Sequence, residues 1–247
     1  MAEKATNQDW LDQVQEEALE PELPIIDPHH HLWDQKVGRV NPKYFLEEML
    51  EDTNSGHNIV ATVFIECGAM FRADGPDHLK PLGETEFVNG IAAQSASGIY
   101  GPTRVAAGIV GTMDWRRGAG VAEILDQHIT LGGGRFRGIR VGATWDASPE
   151  VENHRTEPPQ GLYSDSVFRD AFAELAKRDL SFEAWCYHPQ IPGLADLARA
   201  HPDNRIVLDH FGGPIGIGPY ADKKDAVFEE WKANIADLAT CENVVAK

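Results

Sequence analysis

The amino-acid sequence predicts an α/β protein of the TIM (β/α)8-barrel type. Runs of β-branched and apolar residues alternate with helical patterns, as expected for a parallel sheet whose neighbouring strands need helical crossovers. A doubly wound sheet fits the same alternation, but no G-x-G-x-x-G follows the first predicted strand. Polar side chains also recur at the carboxyl ends of several predicted strands, which is where a TIM barrel places its active site.

The predicted elements follow one another in chain order. A short amphipathic helix is predicted over Asp9–Leu19, and the first strand begins at Ile25. The other predicted strands, recognised by β-branched or apolar runs, are Ile59–Glu66, Val105–Val110, Phe136–Val141, Leu180–Cys186, Ile206–Asp209 and Asn243–Lys247. The other predicted helices, recognised by apolar residues at helical spacing, are Tyr44–Leu50, Glu84–Ala96, Gly120–Leu131, Ser166–Arg178, Ile191–Ala200 and Ala226–Leu238.

This pattern amounts to six strand-helix units and the start of a seventh strand. We therefore expect residues 1–24 to be an N-terminal extension and residues 25–247 to be one barrel domain that is incomplete at its C-terminal end. A fragment of a longer chain is the expectation we favour, because Asn243–Lys247 ends in mid-strand without a terminating signal. Completion of the barrel by a partner and a barrel without catalytic activity are the alternatives.

Composition limits the classes of partner and compartment. The chain has 247 residues, 42% of them hydrophobic, and a formal net charge of -17, which disfavours binding to nucleic acid and to anionic membranes. Three widely spaced cysteines without a CxxC pair indicate a reducing compartment. We find neither a targeting signal nor an apolar run of the ~18 residues needed for a membrane span. We expect a cytoplasmic protein with a small-molecule substrate, and homo-oligomer formation stays open.

The first predicted strand runs directly into three histidines. Because successive side chains on a strand point to opposite faces, His29 and His31 are expected on one face and His30 on the other. Asp27 precedes the pair on the same face. Two imidazoles so placed suit a divalent transition metal, with zinc as the first expectation and manganese as the alternative.

Other candidate site residues end the later strands. His188 follows the fifth strand, and Asp209 and His210 end the sixth, before glycines that allow close backbone approach to a ligand. Arg140 and Arg137 offer the planar fork that matches a substrate carboxylate. Glu66 ends the second strand as a ligand, an acid or base, or a core carboxylate. Five further histidines in predicted loops or helices are expected at the surface: His57, His78, His128, His154 and His201.

The stretch Asp-Pro-His-His-His-Leu-Trp-Asp resembles the first-strand motif of the amidohydrolase superfamily, in the form found in the amidohydrolase 2 group of TIM-barrel hydrolases, lactonases and decarboxylases. Asp-His-x-Gly-x-Pro and Gly-Ile-Arg also resemble that pattern. The resemblance implies that His29, His31 and His188 are metal ligands, with His188 alternatively a substrate-polarising group. It implies that His210 hydrogen-bonds the substrate or lines the metal pocket. From the residues themselves we expect His188, Asp209 and His210 to serve catalysis, and Arg140, Arg137 and Glu66 are the candidate substrate contacts.

The activity expected from this resemblance is metal- or histidine-assisted hydrolysis of a lactone or similar cyclic ester of a small carboxylated or hydroxylated substrate. Two alternatives remain at this point. One is metal-dependent nonoxidative decarboxylation on the same barrel, and the other is a catalytically inactive binding module. The family usually takes its proton-moving carboxylate from the end of an eighth strand, which this sequence does not contain.

Overall fold

The computed structural model describes residues 13–14, 16–34 and 43–247. These residues fall into two compact units, one within residues 1–111 and 128–136 and the other within 112–127 and 137–247. The predicted helix over Asp9–Leu19 is wrong over residues 13–14 and 16–19, which the structure describes as turn, bend and irregular backbone. Its other residues lie outside the described part of the chain. None of the helices within the described ranges is long and apolar enough to cross a lipid bilayer.

Three parallel strands build the first unit. They are β1 (Pro24–His30), β4 (Asn58–Ile65) and β5 (Arg104–Gly111), hydrogen-bonded in that order. Strand β4 is an almost continuous β-branched and apolar run, as expected for a strand covered on both faces. Two helices lie between these strands in the chain, α1 (Leu46–Thr53) and α2 (Leu82–Ala96). A short antiparallel pair, β2 (Trp33–Asp34) and β3 (Lys43–Tyr44), follows β1.

Four parallel strands build the second unit. They are β6 (Phe136–Gly142), β7 (Ser181–Trp185), β8 (Arg205–Leu208) and β9 (Val244–Ala246), again hydrogen-bonded in chain order. The helices that connect them are α4 (Ser166–Ala176), α5 (Ile191–Ala200) and α6 (Lys224–Leu238). A further helix, α3 (Ala122–Leu131), precedes β6. The chain order within the unit places the carboxyl ends of neighbouring strands side by side.

An aromatic cluster forms the core of the second unit. Phe168 and Phe172 of α4 pack on Phe182 of β7, with ring centroids 5.8 Å and 5.2 Å from it, and all three side chains are fully buried. Each such ring removes a large apolar area from water, so this contact is a major source of stability for the helix-on-sheet layer. It also holds β7 and the polar residues at its carboxyl end in place.

The predicted order of strands and helices is confirmed, with boundaries that shift by a few residues. The β2–β3 pair was not predicted, and a 3-10 segment over Trp115–Val121 replaces the first turn expected of α3. The prediction that His128 lies at the surface is wrong. This side chain is fully buried, because it hydrogen-bonds Thr85 at 2.8 Å and stacks on Phe136.

Candidate active site

Two histidines converge at the end of β1. The Nε2 atoms of His29 and His31 lie 3.3 Å apart, so the alternation expected from the sequence holds across the strand end. The Nδ1 atom of His31 lies 2.8 Å from the carbonyl oxygen of Ile65, and a carbonyl accepts only, so Nδ1 carries the proton and Nε2 the lone pair. The His31 ring also stacks on Trp33, at a centroid distance of 5.5 Å. This setting orients Nε2 as a ligand atom.

His30 points away from this pair and is buried. Thr62 Oγ1 accepts the backbone N–H of Ala106 and shares a hydrogen bond of 2.9 Å with His30 Nε2. Burial lowers the pKa of His30 to about 4, which keeps the ring neutral. His30 therefore ties β1 to β4 and β5 as a structural residue.

The geometry of the His29 and His31 pair fits a divalent metal. Two nitrogens that each bind zinc at about 2.0–2.1 Å with tetrahedral angles are separated by about 3.3 Å, and the separation in this protein is 3.3 Å. Two imidazole lone pairs this close repel each other unless a proton or a cation lies between them. The backbone carbonyl that holds His31 Nδ1 matches the outer-shell contact usual for metal-binding histidines.

A cluster of four charged side chains lies at the carboxyl ends of the strands of the second unit. It consists of Arg140 on β6, Glu183 on β7, Asp209 directly after β8 and Lys247 directly after β9. Arg140 and Glu183 are paired residues in the β6–β7 register. The side chains of all four are at most 11% exposed. We call this group the charged cluster.

Two cations lie near the buried carboxylate of Asp209. Its carboxylate lies 3.7 Å from Arg140 and 3.6 Å from Lys247, and both its oxygens are buried without a hydrogen-bond partner among the described residues. A buried carboxylate normally accepts several hydrogen bonds, and leaving it without them is costly. Such a group is positioned to accept a proton or a hydrogen bond from another molecule.

Glu183 has a different environment. Its carboxyl lies 2.6 Å from the ammonium of Lys247. Burial raises the pKa of Glu183 to about 8, the neighbouring Asp209 carboxylate acts in the same direction, and Lys247 opposes both. Burial and the neighbouring Asp209 thus favour the protonated form of Glu183, while Lys247 favours the ionised form.

His188 is buried at the start of a 3-10 turn after β7. The backbone N–H of Ile215 donates to its Nδ1 at 3.3 Å, so the proton of the neutral ring lies on Nε2. Burial lowers the pKa of His188, which keeps the ring neutral near pH 7. Nε2 is buried without a hydrogen-bond partner among the described residues, which suits a donor that awaits an acceptor.

The segment after β8 is strained. His210 and Phe211 both have a φ of 52°, which non-glycine residues rarely adopt, and Gly212 and Gly213 continue with positive φ. The ring of His210 packs edge-on against Trp185, at a centroid distance of 4.8 Å. The indole of Trp231 donates to the carbonyl oxygen of Phe211 at 2.7 Å. These contacts hold a tight turn that presents His210 beside Asp209.

The remaining predicted site residues occupy different positions. Glu66 is buried directly after β4, and its backbone N–H donates to the carbonyl oxygen of Val110. Arg137 is exposed near the amino end of β6, whereas Arg140 is buried toward its carboxyl end. Sequence reasoning missed Glu183 and Lys247. Glu183 could have been recognised as a candidate because it is a carboxylate inside an otherwise mostly apolar strand, Ser181–Trp185.

Comparison with known protein families identifies the class of this barrel. The amidohydrolase family model matches residues 26–247, so the chain belongs to the amidohydrolase family. Among solved structures, an amidohydrolase from Burkholderia multivorans with bound zinc has a TM-score of 0.63 at 22% identity. That match covers 90% of this chain and 68% of the other, and it confirms the barrel class.

Two curated relatives match most of the chain. An uncharacterized protein of Sinorhizobium fredii, y4mH, is 29% identical over 92% of this chain and 72% of its own length. An L-fucono-1,5-lactonase of Burkholderia ambifaria is 26% identical over 90% of this chain and 66% of its own length. The chain thus spans about two thirds to three quarters of the relatives' lengths.

Proposed function

We propose that the protein opens a lactone, or a similar cyclic ester of a small carboxylated or hydroxylated substrate, by addition of water. Membership of the amidohydrolase family supports the hydrolase class. The similarity to an L-fucono-1,5-lactonase supports a lactone as the substrate class. The observation that carries the proposal is the buried Asp209 carboxylate, which has two cations nearby and no hydrogen-bond partner among the described residues.

In the proposed reaction, the oxygen of a water molecule bonds to the lactone carbonyl carbon, and the ring carbon–oxygen bond breaks. Asp209 accepts the proton that water loses and returns it to the departing ring oxygen, so that a hydroxy acid results. A carboxylate with unfilled acceptor positions suits this transfer, since general-base catalysis requires a hydrogen bond to the reacting water. Arg140 and Lys247 place positive charge beside Asp209.

We propose that His29 and His31 hold a divalent metal, with zinc favoured and manganese as the alternative. Their 3.3 Å Nε2 separation and the orientation of His31 by Ile65 support this assignment. A bound divalent cation supplies Lewis-acid polarisation of a carbonyl and lowers the pKa of water from 15.7 to about 7. The zinc-bound amidohydrolase of the same fold makes zinc the metal to test first.

His188 is proposed to donate a hydrogen bond from Nε2 to the substrate oxygen that becomes negatively charged. Its Nδ1 is occupied by the N–H of Ile215, so this donor role is better supported than the metal-ligand role that the family resemblance also allows. Arg140 is the proposed partner of a substrate carboxylate, and His210 the proposed contact to a substrate hydroxyl. Glu66 and Arg137 stay as predicted substrate contacts.

A panel of sugar lactones and other small lactones, incubated with the protein and added zinc or manganese, tests this function. We expect release of one acid equivalent per ring opened, detected with a pH indicator, and the hydroxy acid as the product by mass spectrometry. Release of carbon dioxide from an aromatic or enol acid would instead identify a decarboxylase. Activity toward neither class, together with metal binding unaffected by His29→Ala, would leave a binding module.

A further inference from the structure

A cavity of about 230 Å³ lies at the carboxyl end of β6, between residues 112–116 and the long loop of residues 143–159 that follows the strand. Thr112 and Trp115 line it on one side, and His154 and Thr156 of the loop line it on the other. Sites for whole small-molecule ligands usually measure about 300–1,000 Å³. This cavity therefore suits one part of a small substrate.

The cavity adjoins the charged cluster. Thr112 Oγ1 donates to the backbone carbonyl oxygen of Arg140 at 3.0 Å. Gly142, which also lines the cavity, lies two residues beyond Arg140, or about 7 Å along the strand. Because side chains alternate along a strand, position 142 faces the same side of the sheet as Arg140. In the β6–β7 register Gly142 pairs with Trp185, whose ring packs against His210.

The absence of a side chain at Gly142 makes room for the ring of His154. A methyl group at position 142 would overlap that ring, so the imidazole packs directly on the backbone of β6. The loop is fixed there by two hydrogen bonds. The backbone N–H of His154 donates to the carbonyl oxygen of Thr144 at 3.0 Å, and the Tyr187 hydroxyl donates to that of Glu152 at 2.6 Å. His154 thus has a defined place in the cavity wall.

The charges in the lining favour a hydroxyl group over a carboxylate as the occupant. The Arg116 guanidinium lies 2.6 Å from the Asp114 carboxylate, so its charge is already paired. A ligand carboxylate would also meet the carboxylate of Glu157 and be repelled. A hydroxyl both donates and accepts, so it can bond to either kind of group. The half-buried Trp115 adds an apolar face for the C–H groups of such a ligand.

His154 and Thr156 supply further hydrogen-bonding atoms. His154 Nδ1 lies 2.8 Å from Thr156 Oγ1. Its Nε2 lies 3.1 Å from a guanidinium nitrogen of Arg155, which is not among the described residues that line the cavity. This wall therefore contains an imidazole and a hydroxyl that can serve ligand hydroxyl groups.

We infer that the cavity is a subsite for a hydroxylated part of the lactone substrate and that His154 is a specificity-determining residue in it. The inference rests on the proposed function, because it concerns the substrate of the same reaction. It narrows a carboxylated or hydroxylated substrate to a hydroxylated one.

The test compares three lactones of one ring size, assayed with the full chain and added zinc. Galactono-γ-lactone carries hydroxyl groups, γ-butyrolactone carries none, and muconolactone carries a carboxylate. We expect the wild type to have its highest kcat/KM with galactono-γ-lactone. His154→Ala should lower kcat/KM for that substrate, relative to γ-butyrolactone, roughly tenfold and mainly through KM, because a hydrogen bond is lost. His57→Ala, an exposed histidine in another loop, is the control and should keep the wild-type ratio.

Two further variants change the cavity in other ways. Gly142→Ala should lower the same ratio while the imidazole stays in the chain, because the added methyl group displaces the His154 ring. Thr156→Val removes an exposed hydroxyl of the lining, should lower the ratio as well, and covers a Gly142→Ala protein that fails to fold. An unchanged ratio in both His154→Ala and Thr156→Val would overturn the inference. So would a wild-type preference for muconolactone over galactono-γ-lactone.

Binding of galactitol, a polyol without an ester, separates this inference from the proposed function. Saturation-transfer NMR should detect its binding to the wild type and a Kd raised roughly tenfold in His154→Ala. If this result is found but no lactone is opened, the proposed function fails and the subsite stands. If lactones are opened but neither the substrate ratio nor galactitol binding depends on His154, the inference fails and the proposed function stands. Failure of both lactone opening and galactitol binding in the wild type would overturn both.

Discussion

At the scale of single residues, Asp209 is the most unusual group in the described part of the chain. It is fully buried and has two cations at 3.6–3.7 Å, yet no hydrogen bond satisfies its oxygens within the described residues. Burial of an incompletely satisfied charge lowers the stability of the fold. Active sites are among the places where proteins retain such a destabilising group.

Replacing Asp209 by asparagine tests that interpretation. We expect Asp209→Asn to lower kcat about 10²–10⁴-fold, the usual contribution of a general base, because the amide accepts no proton. The far-UV spectrum should stay near that of the wild type. Asp196→Asn, an exposed change on α5, is the matched control. Wild-type kcat in Asp209→Asn would contradict the assignment.

Glu183 makes stability depend on pH. Its pKa is raised to about 8 in the folded protein, from 4.5, so between these pH values the folded state binds more protons than the unfolded state. The free energy of unfolding should therefore fall as pH rises from about 5 through 8. Glu183→Gln, which has no proton to lose, should flatten this decline. Urea unfolding at several pH values measures the free energy of unfolding. The same dependence of that free energy on pH in both proteins would contradict the prediction.

At the scale of elements, helix α4 shows how local chemistry places the site. Asp165 begins the helix, and its carboxylate accepts the N–H groups of Val167 and Phe168 at 2.8 Å and 3.0 Å. Phe168 and Phe172 of this helix pack on Phe182 of β7. Glu183 follows Phe182 directly, so the pleat turns one side chain to the aromatic core and the next to the charged cluster.

We expect Asp165→Ala to lower the free energy of unfolding by about 1 kcal/mol, because two N–H groups lose their acceptor. Asp165→Ser should recover most of the loss, since serine also caps helix N-termini. Chemical denaturation of the three proteins provides the comparison. A loss in Asp165→Ser as large as that in Asp165→Ala would mean that the cap itself contributes little.

At the scale of the whole molecule, metal binding should be linked to stability. A ligand that binds only the folded state stabilises it by about 2.7 kcal/mol when its free concentration is 100 times Kd. We therefore expect zinc to raise the thermal midpoint of the wild-type protein and to leave that of the His29→Ala/His31→Ala double variant unchanged. The double variant should also lose bound zinc in elemental analysis.

His57→Ala is the control for this experiment, because His57 is exposed and lies in the turn before β4. Its response to zinc should match that of the wild type. An equal zinc response in the double variant would assign the metal to other residues.

The sequence alone determined the order of the elements and the strand ends that carry chemistry. The apolar run of Ile59–Glu66 and the helical spacing of Ile191–Ala200 depend on neighbours a few residues apart, so local periodicity is enough to predict them. The same holds for the alternation of His29, His30 and His31. Their side-chain directions follow from the two-residue repeat of a strand.

Only the tertiary structure decided which polar groups meet. Lys247 contacts Glu183 because β7, β8 and β9 are hydrogen-bonded neighbours, and no local pattern reports that order or its register. His128 is buried for the same reason, since its partner Thr85 belongs to a different helix. The proton positions on His31 and His188 likewise depend on distant backbone groups. Contacts between residues far apart in sequence arise from packing, which local sequence patterns do not encode.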